Sequence, residues 1–311
     1  MTRREVPLRY LQLTFFCRFT QQAHLPPYKG STLRGAFGRA LKQVCCALRR
    51  QDCDTCLLRS GCTYARVFEP KSVHPGLRKL AAPPHPYVLE PPATLQTRFV
   101  PEERFAFNLL LVGEFSQALP YFVYAVERMG EGGLGKGNAQ FVLERVEAGG
   151  QVIYHRGADT LTWPGDYPTL PDQLSDGGSS GELSMELTTP LRLKSAGHLS
   201  SDLQFVTLVR AALRRFSSLH SCYGAGEPDL DYGGLLRRAE QVERIEDTTR
   251  WHDWSRYSNR QGEEMRFGGL LGRLRFADVP AEHRLLLELC RPFHLGKQTT
   301  FGLGAYRLEA A

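Results

Sequence analysis

The chain has 311 residues, 42% hydrophobic and 23% charged, with a net charge of +6. That length and balance suit about two globular domains with ordinary cores, and no apolar stretch is long enough to cross a bilayer, which argues against a membrane protein. The basic residues are 32 Arg against 7 Lys. Guanidinium grips phosphate bidentately and stacks on bases, so a polyanionic partner is permitted, although this net charge does not by itself establish one.

After Met1-Thr2-Arg3-Arg4, the residues Leu8, Tyr10, Gln12 and Thr14 alternate with Arg9, Leu11, Leu13 and Phe15. This period of two predicts a strand over 8–16 rather than a signal peptide, and a cytoplasmic protein. Ser31, after Gly30, supplies an N-cap for a helix over 31–49. Its apolar side carries Leu33, Phe37, Ala40, Leu41, Val44 and Leu48, and its other side Arg34, Arg39, Lys42 and Arg49.

Five of the eight cysteines then fall within residues 45–62. Clustering of this kind in a reducing compartment points to a metal rather than a disulfide framework. The spacing Cys46-x6-Cys53-x2-Cys56-x5-Cys62 offers four thiolates, with Cys45 as a spare. Four thiolates close a tetrahedral structural zinc site and leave no position open for catalysis, so one Zn2+ per chain and no catalytic metal are expected; an iron–sulfur cluster is the alternative. The intervening residues 49–52, 54 and 55 are polar and cannot form a core, so the metal would be the local staple.

Gly133-Leu134-Gly135 precedes a strand-like run at Phe141-Val142-Leu143. Residues 153–182, with Pro164, Pro168, Pro171 and a Gly/Ser-rich run at 176–181, read as a linker or long loop. Beyond it a strand over 183–193 and a helix over 203–219 follow, the helix with Val206, Val209, Leu213 and Phe216 in its apolar stripe and Arg210, Arg214 and Arg215 displaced from it. Arg256 and Arg260 flank Tyr257, the makeup that grips and stacks single-stranded bases. The chain closes with Phe293-His294-Leu295-Gly296-Lys297-Gln298-Thr299-Thr300-Phe301-Gly302-Leu303-Gly304 before a last strand. Gly296, Gly302 and Gly304 permit close backbone approach, and Lys297 and the threonine hydroxyls offer donors to phosphate. The spacing fits neither the dinucleotide nor the P-loop pattern, which argues against a nucleotide cofactor. Gly302-Leu303-Gly304 echoes Gly133-Leu134-Gly135, so strand, helix and glycine turn occur twice, as in a duplicated β-α-β unit.

Taken together, Leu25-Pro26-Pro27-Tyr28-Lys29-Gly30-Ser31-Thr32-Leu33-Arg34-Gly35-Ala36-Phe37-Gly38, the cysteines ending in Cys62-Thr63-Tyr64-Ala65-Arg66-Val67-Phe68-Glu69-Pro70, and the terminal glycine loop resemble the CRISPR-associated precursor-RNA processing endoribonucleases of the RAMP superfamily. Trp254-Ser255-Arg256-Tyr257-Ser258-Asn259-Arg260-Gln261 and Gly268-Gly269-Leu270-Leu271-Gly272 add to the match, which covers nearly all the chain outside the linker. The resemblance implies an α+β fold of two tandem ferredoxin-like, RRM-like βαββαβ domains. They would span 1–152, with a small four-cysteine zinc-binding insertion at about 45–64, and 183–311, with 153–182 between them.

The resemblance further implies sequence-specific, metal-independent cleavage of CRISPR repeat RNA in the precursor transcript. The 2′-hydroxyl attacks the adjacent phosphate and leaves a 2′,3′-cyclic phosphate and a 5′-hydroxyl. Such chemistry needs a base, a proton donor for the leaving oxygen and a cation for the crowded phosphate. The family's histidine near the first helix points to His24 as base, with Tyr28, Lys29 and Arg34 beside it; His220 is the rival. Arg39, Arg256, Arg260, Gly296, Lys297, Gly302 and Gly304 are the expected RNA contacts, and His294 an RNA or core residue. Other CRISPR effector subunits are expected partners of a monomer or homodimer. A noncatalytic subunit holding guide RNA, or a zinc-stapled nucleic-acid adaptor, are the competing functions.

Overall fold

The computed structural model describes residues 8–49, 51–71, 83–165, 167–174, 178–195, 198–199, 201–253, 255–258, 263–266 and 268–310. The chain divides into two compact units, one formed by residues 8–169 with 222–224 and the other by 170–221 with 225–311.

In the first unit the order is β1 (Leu8–Phe19), α1 (Gly30–Cys45), β2 (Tyr87–Glu90), β3 (Arg104–Val112), α2 (Leu119–Gly132), β4 (Phe141–Ala148) and β5 (Gln151–His155). The strands form an antiparallel sheet in the order β2-β3-β1-β4-β5. Alternation along β1 buries Leu11, Leu13, Phe15, Cys17 and Phe19 and turns Gln12, Thr14, Phe16 and Arg18 to the other face. Register places Phe15 opposite Phe107 of β3, where the rings stack at 5.1 Å, and the Phe19 ring lies 4.6 Å from that of Phe105. The helices contribute Phe37 and Phe122, stacked at 6.2 Å. Full burial of one such side chain is worth roughly 1.5–3 kcal/mol, so this aromatic layer carries much of the unit's stability.

The second unit repeats the plan with β6 (Gly181–Leu191), α3 (Phe205–Tyr223), α4 (Tyr232–Ala239), β7 (Arg244–Asp247), β8 (Gly269–Val279), α5 (Ala281–Cys290) and β9 (Tyr306–Ala310). Its sheet order, β7-β8-β6-β9, is that of β2-β3-β1-β4 in the first unit. Both units are therefore βαββαβ, the ferredoxin-like arrangement, with β5 added to one sheet edge in the first and α4 inserted after the first helix in the second. Phe205 and Phe276 pack at 4.9 Å in the core of the second unit, and the buried Tyr306 hydroxyl donates to the Leu287 carbonyl at 2.5 Å.

Local bounds differ from the sequence expectation in ways the packing explains. Helix α1 starts at Gly30, with Lys29 rather than Ser31 in the capping position, and stops at Cys45, before the polar cysteine segment. Residues 153–169, expected as linker, are part of the first unit. Ile153 and Tyr154 are buried in its core, Ala158, Leu161 and Tyr167 pack on it, and the Tyr10 amide donates to the Pro168 carbonyl at 3.0 Å.

Helix α2 approaches β4 at Gly130, where a Cβ would overlap the Phe141 carbonyl oxygen, whereas Gly132, two residues on, faces open space. Gly130→Ala should lower the unfolding free energy by roughly 1–3 kcal/mol in urea denaturation. Gly132→Ala should be neutral or stabilising by up to about 1 kcal/mol, the helix-propensity gain. Equal effects of the two would mean that the close helix–strand approach is not a constraint.

Candidate nucleic-acid interface and active site

Past the end of β1 the chain returns as the short strand Ala23–His24, which pairs antiparallel with Arg98–Phe99, Ala23 opposite Phe99 and His24 opposite Arg98. On its other side His24 forms an antiparallel bridge with Lys136. The Lys136 amide donates to the His24 carbonyl at 3.1 Å, and the Leu25 amide donates to the Thr97 carbonyl at 2.9 Å. Arg98, His24 and Lys136 thus form a row across adjacent extended segments. Directly opposed residues project to the same face with Cβ atoms roughly 5 Å apart. All three residues are exposed, and among the described residues no hydrogen bond or ion pair engages their side chains. The bridge exists because of Gly135, at φ +68, whose missing Cβ would overlap the His24 carbonyl oxygen.

Lys29 is not available to RNA, which corrects its expected place beside the phosphate. It is 1% exposed, and its ammonium donates to the carbonyls of Pro27 at 3.0 Å and Thr94 at 2.7 Å. The same ammonium lies 5.7 Å from the Phe99 ring, and burial lowers its pKa. Lys29 therefore ties the segment leading from His24 to α1 onto the segment leading to Arg98. Tyr28 is half-buried; burial, with the Glu90 carboxylate second, pushes its pKa far up, so the hydroxyl stays protonated at neutral pH. The Arg34 guanidinium stands 5.3 Å from the centre of the Phe68 ring, on the flank of α1, and Arg39 is exposed on the same helix.

The terminal glycine loop makes the same contact in the second unit. Leu295-Gly296-Lys297 lies against Arg192-Leu193 just as Leu134-Gly135-Lys136 lies against His24-Leu25. The Lys297 amide donates to the Arg192 carbonyl at 3.0 Å, and a Cβ on Gly296, at φ +80, would press on that same carbonyl. The internal repeat is thus Leu-Gly-Lys with Leu-Gly-Lys, correcting the Gly-Leu-Gly pairing read from the sequence. Gly302 and Gly304 are buried, and their backbones bond within the unit: Thr189 Oγ1 donates to the Gly302 carbonyl at 2.8 Å, and the Gly304 amide donates to Pro190 at 3.1 Å. They serve closure of the loop rather than contact with RNA, while Gly296 and Lys297 are exposed.

The other histidines turn inward. His220 is 2% exposed in the last turn of α3, 4.6 Å from the Phe216 ring, with its pKa lowered by burial, and it cannot meet a substrate as the rival base would have to. His294 is buried, its Nδ1 3.2 Å from the Leu303 carbonyl, which makes it a core residue. Arg260 lies outside the described residues. Arg256 belongs to the strand Ser255–Ser258, but its side chain lies outside what is described.

Cys45, Cys46, Cys56 and Cys62 line one cavity of about 380 Å³. Burial, with the neighbouring Cys62 next in weight, pushes the Cys45 thiol up to about 11. Cys53 is buried and its thiol is hydrogen-bonded by Lys42. Among the described residues no three His, Cys, Asp or Glu side chains converge tightly enough to hold an ion. The donor set suits zinc and three of its four expected members share a wall with Cys45, but the thiols stand apart as placed.

Residues 8–164 match the N-terminal domain family AF_1859_N, and residues 185–306 match the CRISPR-associated endoribonuclease Cas6 family. The chain is a Cas6-like CRISPR protein, the Cas6 match lying in its residues 185–306. Over 292 residues it is 23% identical to an uncharacterised protein of Archaeoglobus fulgidus, covering 93% of this chain and 94% of that one. Its fold matches Cas6 of Thermus thermophilus at a TM-score of 0.56 with 14% identity, over 97% of this chain and 99% of the other. It also matches a chain of a partial Cas6-RT-Cas1–Cas2 complex at 0.59 with 13% identity, spanning all of this chain but about half, 47%, of that chain's length. This Cas6 match supports a CRISPR-associated role in RNA processing.

What Arg98 and Lys136 add to His24 was not foreseen from sequence; the one signal for Lys136 was its Leu-Gly-Lys match to the terminal loop. The burial of Lys29 leads to a direct test. Lys29→Ala should lower stability by about 1–3 kcal/mol, because two part-buried carbonyls lose their donor and a buried side chain its packing. His24→Ala should change it by less than about 0.5 kcal/mol, as expected for an exposed side chain without bonds. Chemical denaturation of both variants reads the difference, and an unchanged Lys29→Ala protein would refute the bracing role.

Proposed function

We propose that this Cas6-like protein is a metal-independent endoribonuclease that cuts the repeat of CRISPR precursor RNA to release guide RNAs. The observation that carries the reading is His24, an exposed imidazole held by backbone pairing on both sides and placed between cations. A histidine titrates near neutrality and can accept the proton of a 2′-hydroxyl. As His24 takes that proton, the 2′-oxygen bonds to phosphorus, the bond from phosphorus to the 5′-oxygen breaks, and the 5′-oxygen leaves with a proton from solvent. The products carry a 2′,3′-cyclic phosphate and a 5′-hydroxyl. Each step moves protons and phosphate charge only. Arg39 and the exposed Gly296-Lys297 backbone and ammonium hold the RNA through its phosphates, which supply most of the affinity and its salt dependence. Transcript and protein meet in the cytoplasm, and no helix among the described residues is long and apolar enough to cross a membrane. The released guide then passes to other CRISPR effector subunits.

The test is single-turnover cleavage of a cognate repeat RNA in EDTA. The expected result is one cut with cyclic-phosphate ends. His24→Ala should slow it about 10²–10⁴-fold with repeat affinity nearly unchanged, since a base acts in the transition state. His220→Ala should cut at the parent rate in its folded fraction. Tight binding without any cleavage would instead make the chain a guide-holding subunit.

The cysteine segment is read as a structural zinc site formed by Cys46, Cys53, Cys56 and Cys62, with Cys45 adjacent. Support comes from the absence of a local core among the described residues of the segment: Leu57 and Leu58 are 85% and 46% exposed. A bound ion would tie the turns together and do no chemistry. Elemental analysis of untagged protein should find about one zinc per chain, and Cys56→Ser should lower the melting temperature more than the cleavage rate of the folded fraction. Protein free of both zinc and iron would overturn the reading.

A further inference from the structure

We infer that Lys136 and Arg98 are the cations that hold the scissile phosphate for His24. This inference rests on His24 being the base. Attack of the 2′-oxygen on phosphorus builds negative charge on the non-bridging oxygens, and a positive group beside them stabilises the transition state. Two cations near His24 in sequence are otherwise occupied: Lys29 is buried on two carbonyls, and Arg34 lies over the Phe68 ring. The exposed cations beside the imidazole come instead from segments distant in sequence, Arg98 from one side and Lys136 from the other.

Position and rigidity distinguish these two from ordinary surface cations. Each is the directly opposed neighbour of His24 on an antiparallel segment, so all three side chains rise from one face, each cation about 5 Å from the imidazole at Cβ. A phosphate spans that gap: an imidazole at the 2′-hydroxyl leaves the non-bridging oxygens within reach of a flexible ammonium on one side and a guanidinium on the other. The backbone beneath is fixed by the Lys136 amide on the His24 carbonyl, and by Gly135, which admits no side chain. The Glu103 carboxylate accepts from the Gln96 side chain at 2.7 Å and the Val100 amide at 2.9 Å, and among the described residues it forms no ion pair with Arg98 or Lys136.

The roles of the row predict a pattern that a mere binding patch would not give. Single-turnover cleavage is measured at saturating protein for Lys136→Gln, Lys136→Arg, Arg98→Gln and His24→Ala, with Arg128→Gln as a control that removes a charge already paired with Glu131 on α2. Lys136→Gln and Arg98→Gln should each slow the saturated rate about 10–10²-fold, and Lys136→Arg should recover most of it because charge rather than proton donation is required. If His24→Ala cuts like the parent, the base itself is misassigned. If His24→Ala fails while both glutamine variants match Arg128→Gln in rate, the cation assignment alone is wrong; so is it if Lys136→Arg is as slow as Lys136→Gln.

Discussion

One backbone contact organises this protein: a Leu-Gly-Lys loop closing over the carbonyl of the residue that follows the first strand of each unit. It joins Gly135 to His24 in the first unit and Gly296 to Arg192 in the second. A side chain at the glycine would overlap that carbonyl, and the following lysine amide donates to it. The buried leucine before each glycine, Leu134 or Leu295, anchors the loop to the core. Close approach, one hydrogen bond and one buried apolar side chain together convert a chain reversal into a fixed shelf.

The two copies use the shelf differently. In the first unit its strand residue is His24, exposed, with Lys136 beside it. In the second it is Arg192, 9% exposed, whose guanidinium donates to the Gly268 carbonyl and whose pKa is lowered by burial. Arg215 of α3 adds to this closure, its Nη2 donating to the Phe293 carbonyl at 2.9 Å just ahead of the loop. So the second copy spends its cations on holding its own backbone, and of these side chains only Lys297 remains presented. Duplication supplied the frame, and the difference of one side chain, imidazole outward or guanidinium inward, separates the proposed base from a structural closure.

Much of this was legible in the sequence. Strands read over residues 8–16, by period-two alternation, and 183–193, with an amphipathic helix after each, foretold both strand–helix starts and the duplication. His24 stood out because the family resemblance puts a histidine near the first helix. What could not be read was which polar side chains turn inward. Lys29 sits in a polar run after two prolines, and only its contact with Thr94, 65 residues away, shows that it braces the fold. Pairing of Arg98 with His24 is equally non-local, made by two-residue strands too short for any periodicity. The repeat was seen but registered on Gly-Leu-Gly, because glycine spacing is conspicuous in a sequence whereas a carbonyl contact is not.

The arginine excess likewise means less than composition suggests, and where it means something is decided by carboxylates. On the open face of the first sheet Arg18 bonds Glu144 at 2.8 Å and pairs with Glu102, Arg104 bonds the same Glu144 at 2.9 Å, and Arg145 bonds Glu147 at 2.7 Å. Arg145 further covers Phe16, its guanidinium 3.8 Å from the ring centre, so the aromatic surface that a base would stack upon is already occupied. A phosphate approaching that face meets paired charges and must displace hydrogen bonds to gain any. At the row of Arg98, His24 and Lys136 no acid partner among the described residues competes, so the same approach gains full attraction at no such cost. Uncompensated charge, rather than the number of arginines, therefore makes the shelf at His24 the more favourable of the two surfaces for a polyanion.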